Sequence, residues 1–315
     1  MIGLSDIEAA RERIARIALR TPLVAIPVEG VASEIFLKLE NLQPIGSFKI
    51  RGASNFMGAA SAADLAKGVW TASAGNMAQG AAWNARRLGI PCTVVVPETA
   101  PRAKLDAIAR LGGQIVPIPV QEWFDVFETR RYASLEGLFV HAFSDPLVMA
   151  GNGTIGLEVL EDLPDVDTIV VPWGGGGLAC GIAAAVRARD PRVKVFAAEV
   201  ETAAPLSASL SAGAPMPVEY RATFVDGIGA PRVYPEMFEL AAKLLDGALV
   251  SSLREIAAAV RLIAERTHTI AEGAGAAALA AALAGRAGPG RIVCIVSGGN
   301  IDGHKLAKIL DGEVP

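Results

Sequence analysis

Five short apolar runs punctuate the chain: residues 94–97 (VVVP), 114–118 (QIVPI), 168–172 (TIVVP), 193–199 (VKVFAAE) and 291–299 (RIVCIVSGG). They are rich in β-branched residues and continuously apolar rather than alternating, the pattern of strands covered on both faces. Residues 81–89, 102–113, 178–191 and 252–267 lie between them with apolar positions at helical spacing. Strand and helix alternate with Gly or Pro at the joints, which predicts an α/β fold with a mainly parallel sheet. Ser252 followed by Glu255 reads as a capping box opening the last of these helices. The longest uncharged small-residue stretch, around Ala271–Gly285, is short and Ala/Gly-rich. It predicts a tightly packed buried helix, not a membrane span of about 18 or more apolar residues. The first twenty residues alternate charge and apolar positions and lack the apolar segment of a signal peptide.

At 315 residues the chain makes one large or two ordinary domains. With 52% hydrophobic and 20% charged residues it can bury a large core, and with only 5% aromatics that core must be aliphatic. A net charge of -4 argues against nucleic acid as partner but leaves an anionic cofactor or an amino acid open. Cys92, Cys180 and Cys294 sit far apart in apolar runs, as buried thiols of a cytoplasmic protein do. His141, His268 and His304 have no metal-ligand spacing, so neither zinc nor a Ser-His-Asp triad is expected.

Candidate chemistry sits in loops that follow strands. Trp173 leads into Gly174, Gly175, Gly176, Gly177 and Leu178 and then a helix, so backbone N–H groups and a helix N-terminus could hold a phosphate. Tight strand-to-helix packing would explain the same glycines. No Lys-Ser or Lys-Thr follows, which removes the P-loop. A dinucleotide site stays open, with Ala179 at the third glycine position and Glu199 about 20 residues on. Pro44 and Gly46 break any regular element before Ser47, which could cap a helix from Phe48 and put Lys49 in its first turn. The helix dipole disfavours a cation there, which would suit a Schiff-base lysine. An ordinary exposed lysine fits the residue equally well. Residues 71–80 form a second strand–loop–helix cradle that could take a carboxylate, and Ser297-Gly298-Gly299-Asn300 a third. In a doubly wound sheet such strand ends gather along one crevice.

Four of these segments occur in the order of one family: SFKIRGA at 47–53, SAGN at 73–76, GGGGL at 174–178 and SGGN at 297–300. With GNGTIGLE at 151–158 and AEGAGA at 271–276, the chain closely resembles the threonine/serine dehydratase and serine racemase group of fold-type II pyridoxal-phosphate enzymes. The resemblance implies a tryptophan synthase β-like architecture: two α/β domains, each with a mainly parallel sheet flanked by helices. Residues 1–52 and 145–315 would form the large cofactor-binding domain and 53–144 a small mobile one. It implies pyridoxal 5'-phosphate held by Lys49 as a Schiff base, with Lys49 also moving the α-proton. Phe48 would pack on the ring, Asn76 meet its phenolic oxygen, Gly174–Gly177 and Leu178 hold the phosphate, and Ser297 meet the pyridine nitrogen, with Gly227 and Glu272 lining the site. Ser73, Ala74, Gly75, Asn76 and Met77 would bind the substrate carboxylate. A hydroxyl at the pyridine nitrogen makes a weaker electron sink and favours β-elimination, giving a 2-oxo acid and ammonia.

Departures from the family refine this. Ala74 stands where the racemases place a serine base, which favours a dehydratase. Pro205 stands where metal-dependent members place an aspartate after Glu199, so no divalent-cation site is expected. Met77 replaces a usual histidine; with Trp123, Phe124 and Trp173 it suggests an enlarged pocket, as for phenylserine, although core packing explains the aromatics as well. The chain stops soon after Ser297, so no C-terminal regulatory domain and no isoleucine feedback are expected. A β-replacement synthase and a nucleotide-binding oxidoreductase are the competing functions. Threonine after the loop asparagine, usual in the synthases, is absent at Met77. The resemblance also implies a homodimer.

Overall fold

The computed structural model describes residues 2–132 and 135–315. In chain order the strands are β1 (Leu23–Ile26), β2 (Glu34–Leu39), β3 (Val69–Ala72), β4 (Cys92–Pro97), β5 (Gln114–Ile118), β6 (Leu138–Phe139), β7 (Thr168–Pro172), β8 (Lys194–Val200), β9 (Gly247–Ser251) and β10 (Arg291–Val296). The helices are α1 (Leu4–Ile14), α2 (Lys49–Ala59), α3 (Ala62–Leu65), α4 (Asn76–Leu88), α5 (Arg102–Arg110), α6 (Val120–Thr129), α7 (Pro146–Asp162), α8 (Gly177–Arg189), α9 (Pro205–Ala212), α10 (Pro235–Leu244), α11 (Leu253–Thr267), α12 (Gly273–Leu283) and α13 (Gly303–Leu310).

Two sheets result. The larger runs β1-β2-β10-β7-β8-β9, parallel except for β1, which pairs antiparallel with β2 at its edge. The smaller runs β5-β4-β3-β6 and is parallel throughout. All five continuously apolar runs are strands, and helices cover both faces, as parallel strands require. One apolar cluster joins α7 and α8 to one face of the large sheet, and another joins α11 and α12 to the other. The Ala/Gly stretch is helix α12, buried along its length. The capping box is formed as the sequence predicts: Ser252 Oγ accepts the Glu255 N–H, and Glu255 Oε2 accepts the Ser252 N–H at 2.7 Å. Among the described residues no helix is long and apolar enough to cross a membrane.

Helices α2, α7 and α8 approach almost backbone to backbone. A methyl group on Gly151 would lie 2.6 Å from the Arg51 carbonyl oxygen, and one on Gly181 2.4 Å from that of Met149. Helix α2 is further held by a buried ionic network. The Arg51 guanidinium donates to both Glu40 oxygens at 2.8 Å and to Glu158 at 2.6 and 2.9 Å, and Lys38 Nζ reaches Glu158 at 2.7 Å. Burial alone would raise the Glu40 pKa, but the charge and hydrogen bonds of Arg51 outweigh it and hold the carboxyl below its usual range. The start of α2 is therefore fixed relative to α7 and the end of β2.

Candidate active site

Three loops meet where β10, β3 and β7 end, and the backbone joins the one after β10 directly to the approach to α2. Phe48 N–H donates to the Ser297 carbonyl at 3.0 Å, Gly299 N–H to that of Gly46 at 2.9 Å, and Ser47 bridges Gly298. Helix α2 begins at Lys49, so this lysine occupies its first position. Ser47 does not cap it, contrary to the sequence expectation. Its hydroxyl is buried without a partner among the described residues, and Phe48 is the residue before the helix, already in the right-handed region. The bridge to Gly298 takes the Ser47 backbone away from cap geometry.

The Lys49 ammonium donates to the Ala142 carbonyl and lies 5.0 Å from the centre of the Phe48 ring. Loss of water around it lowers its pKa to about 8, with Glu272 pulling in the opposite direction. Burial is thus the leading cause of its readiness to lose a proton. The adjacent Phe143 ring rests on the glycine turn: a methyl on Gly175 would lie 2.2 Å from two of its carbons. The dipeptide Ala142-Phe143 therefore touches both Lys49 and the turn. His141 pins it, accepting the Phe143 and Ser144 N–H groups on Nδ1 at 3.2 and 2.9 Å. Burial lowers the His141 pKa to about 4, which keeps the imidazole a neutral acceptor.

Gly176 has φ +90°, which turns the chain sharply into α8. Among the described residues no protein group accepts from the backbone N–H groups of Gly174, Gly175, Gly176, Gly177 or Leu178; the helical ladder opens at Cys180 N–H to Gly176 O, 2.9 Å. Five donors at a helix N-terminus form a nest fit for a phosphate dianion.

Gly174 lies against Gly227, whose carbonyl oxygen would be 3.1 Å from a methyl on Gly174. Gly227 in turn abuts Ala274 and Glu272. Asn76 opens α4; its Nδ2 donates to Glu272 Oε1 at 2.7 Å, and its Oδ1 accepts from Asn300 Nδ2 at 2.7 Å. Glu272 is nearly enclosed, and desolvation followed by repulsion from Asp226 raises its pKa to about 7. Phe48, Lys49, Asn76, Gly174–Leu178, Gly227, Glu272 and Ser297 thus surround one cleft. Ser73, Ala74 and Gly75 follow β3 and lead directly into Asn76, and a methyl on Gly75 would meet nothing within 4 Å.

The aromatic expectations fare differently. The Met77 side chain is buried in the core of the small sheet and Trp173 in that of the large one, so neither enlarges the cleft. Trp173 lies beneath the glycine turn, with its ring 2.4 Å from where a Gly176 methyl would stand. Trp123 donates its indole N–H to the Val95 carbonyl at 3.1 Å and stacks edge-on with Phe124 at 5.2 Å. Next to Ala142, which accepts from Lys49, the Phe143 ring packs with Phe127 at 5.8 Å and Tyr234 at 5.3 Å. Glu199 spans the start of α9, accepting the Leu206 and Ser207 N–H groups at 2.8 Å each, with Pro205 as the first helical residue. Ala142, Phe143 and Asn300 were not singled out by sequence for the site; only Asn300, as the last residue of SGGN, carried any signal.

Comparison with known proteins adds a lineage to this geometry. Residues 14–298 match the model of a family described as pyridoxal-phosphate dependent enzymes. An L-threonine ammonia-lyase of Thermotoga maritima is 42% identical over 99% of this chain and 79% of its own length. A catabolic L-threonine dehydratase of Escherichia coli is 36% identical over 98% of this chain and 96% of its own. The solved structure of maize serine racemase superposes with a TM-score of 0.89 at 32% identity, covering 98% of this chain and 96% of that one.

Proposed function

The chain belongs to the pyridoxal-phosphate dependent enzymes, and on that premise we propose that it removes water and ammonia from a β-hydroxy amino acid such as L-threonine or L-serine, releasing a 2-oxo acid. Pyridoxal phosphate is its cofactor. The observation that carries the reading is the pairing of a desolvated Lys49 amine with a nest of unpartnered N–H donors, both touching Ala142-Phe143.

The bound cofactor supplies an aldehyde for amine capture and an electron sink for the bonds at Cα. The rest falls to the chain. The Lys49 amine, with a pKa of about 8, is available as neutral base near neutrality, to hold the cofactor and then to take the α-proton at Nζ. N–H groups of Gly174–Gly177 and Leu178 hold the phosphate. The free Asn76 N–H would meet the phenolic oxygen, and the Ser297 hydroxyl the pyridine nitrogen. Phe48 would close one side of the ring, with Gly227 and Glu272 lining the site. Backbone groups of Ser73, Ala74, Gly75, Asn76 and Met77, at the N-terminus of α4, take the substrate carboxylate. Ala74 offers no base on the second face, which favours elimination over racemisation. In this reading residues 53–144 move against the remainder, exclude water on closing, and work in the cytoplasm as part of a homodimer.

A second reading narrows the substrate to an aryl serine such as phenylserine, and what supports it is the Phe127–Phe143–Tyr234 cluster, whose Phe143 follows Ala142 and rests on Gly175. The test of both is the visible spectrum and 2-oxo acid release with threonine, serine and phenylserine. A yellow protein that turns over threonine or serine, and loses activity in Lys49→Ala, supports the first; strong preference for serine discards the second. A protein that cannot be loaded with pyridoxal phosphate overturns both.

A further inference from the structure

The chain of side-chain amides across the cleft has a single consistent direction. The Ile45 carbonyl can only accept, so the Asn300 group 2.9 Å from it must be the nitrogen. That nitrogen's second N–H then points at Asn76 and requires its oxygen there, at 2.7 Å. With the oxygen committed, Asn76 turns its nitrogen to Glu272 Oε1, also at 2.7 Å. One Asn76 N–H is used on Glu272. The other has no acceptor among the described residues and remains for a ligand in the cleft.

Glu272 ends this chain and is itself fixed. Its backbone N–H donates to the Gly298 carbonyl at 3.0 Å. A methyl on Gly298 would stand 2.7 Å from Glu272 Oε1 and 3.1 Å from Asn76 Nδ2, so only glycine lets the loop close over the pair. No cation touches the carboxylate among the described residues. Lys49 of α2 and Lys104 of α5 act on it only at range, Lys104 being paired with Asp226 at 2.9 Å, and Lys305 of α13 lies 3.9 Å from the same aspartate. Asp226 itself repels it. Among the described residues the one side-chain hydrogen-bond partner of the Glu272 carboxylate is therefore the Asn76 amide, with the Asn300 backbone N–H as a further donor.

We propose that Glu272 is a positioning residue: through Asn76 it aims and polarises the amide N–H that meets the ring oxygen of the cofactor. The inference rests on the functional reading above. A carboxylate accepting from an amide makes a charge-assisted hydrogen bond, stronger and more directional than a neutral one. A protonated Glu272 loosens that aim, and its pKa of about 7 places the change in the working range. The carboxylate form, and with it the aimed N–H, prevails above that pH.

The test uses the full chain stripped of cofactor and reloaded with pyridoxal phosphate, reading the cofactor's dissociation constant and its absorption spectrum from pH 5.5 to 9. Wild type should show a spectral transition centred near pH 7, the value expected of Glu272. Glu272→Gln, which can still accept from Asn76 but cannot titrate, should bind within about threefold of wild type and lose the transition. Glu272→Ala should weaken binding roughly tenfold, as should Asn76→Ala, and the double variant should be no worse than Asn76→Ala. Additive losses, or a transition that persists in Glu272→Gln, would overturn the inference while leaving the functional reading intact. A wild-type protein that takes up no cofactor would overturn both.

Discussion

Replacing Gly175 by alanine tests whether the glycine turn is shaped by a side chain or by backbone. The added methyl would stand 2.2 Å from two carbons of the Phe143 ring, whereas ordinary contact begins near 3.4 Å. The ring must retreat by about 1.2 Å (3.4 − 2.2). It cannot do so freely, because His141 at 4.5 Å, Tyr234 at 5.3 Å and Phe127 at 5.8 Å surround it. Overpacking of this kind costs about 1–3 kcal/mol. Removing the ring in Phe143→Ala removes the obstacle, so Gly175→Ala should cost almost nothing in that background. The cycle should show a favourable coupling of about 1–3 kcal/mol. Gly177→Ala is the control. Its methyl would lie 2.3 Å from the Phe143 carbonyl oxygen, which Phe143→Ala leaves in place, so its coupling should stay within about 0.5 kcal/mol. Urea unfolding of the cofactor-free protein, followed by fluorescence and circular dichroism together, measures all six proteins. Equal coupling in the two cycles would refute the argument.

Arg51→Met should cost about 3–5 kcal/mol in the same assay, because Glu40 and Glu158 lose their buried partner; a loss under about 1 kcal/mol would show the network to be dispensable. Glu199 has no cation partner among the described residues, and burial, against two backbone hydrogen bonds, raises its pKa from 4.5 to about 7. Because the folded protein holds this proton more tightly, Glu199 removes stability as pH rises between those values. Glu199→Gln should therefore gain about 2–3 kcal/mol relative to wild type between pH 5 and pH 8, and a flat difference would contradict the assignment. Ser252→Ala removes the acceptor of the Glu255 N–H and should lower stability by about 1 kcal/mol, read as a shift in the urea midpoint at unchanged slope.

What the sequence made legible is what repeats at short range. Runs such as 168–172 and 291–296 are strands because β-branched residues on both faces leave no other economical burial, and Ser252–Glu255 caps α11 within four residues. The site's frame was legible through ordered motifs, since three of the loops follow the C-terminal ends of parallel strands, β7 and β10 in the large sheet and β3 in the small one. Ser47 failed as a cap because its backbone bridges Gly298, some 250 residues away. Met77 failed as a pocket residue because α4 turns it into the small core, and a one-dimensional pattern does not say which face of a helix's first turn meets solvent. Phe143 on Gly175, and Asn300 on Asn76, are tertiary pairs with no local signature. Strands β1, β2, β6 and β9 were missed: β1, β6 and β9 are short segments held by their neighbours, and β2 carries charged Glu34 and Lys38 among its apolar positions.

The crossings where helices meet backbone to backbone have a consequence for how this catalyst can be altered. At Gly151 and Gly181 any side chain collides with a carbonyl oxygen, and Gly275 is placed the same way, 2.3 Å from that of Gly298. No exchange of neighbouring side chains relieves a collision with the main chain. The walls on the large-sheet side are thus closed to stepwise change, whereas the ring of Phe143 and the open ground at Gly75 are not. A library built to redirect the substrate range should vary the 73–75 and 142–143 segments and leave the glycine crossings alone; selection acting on this chain would find its accessible paths in the same places.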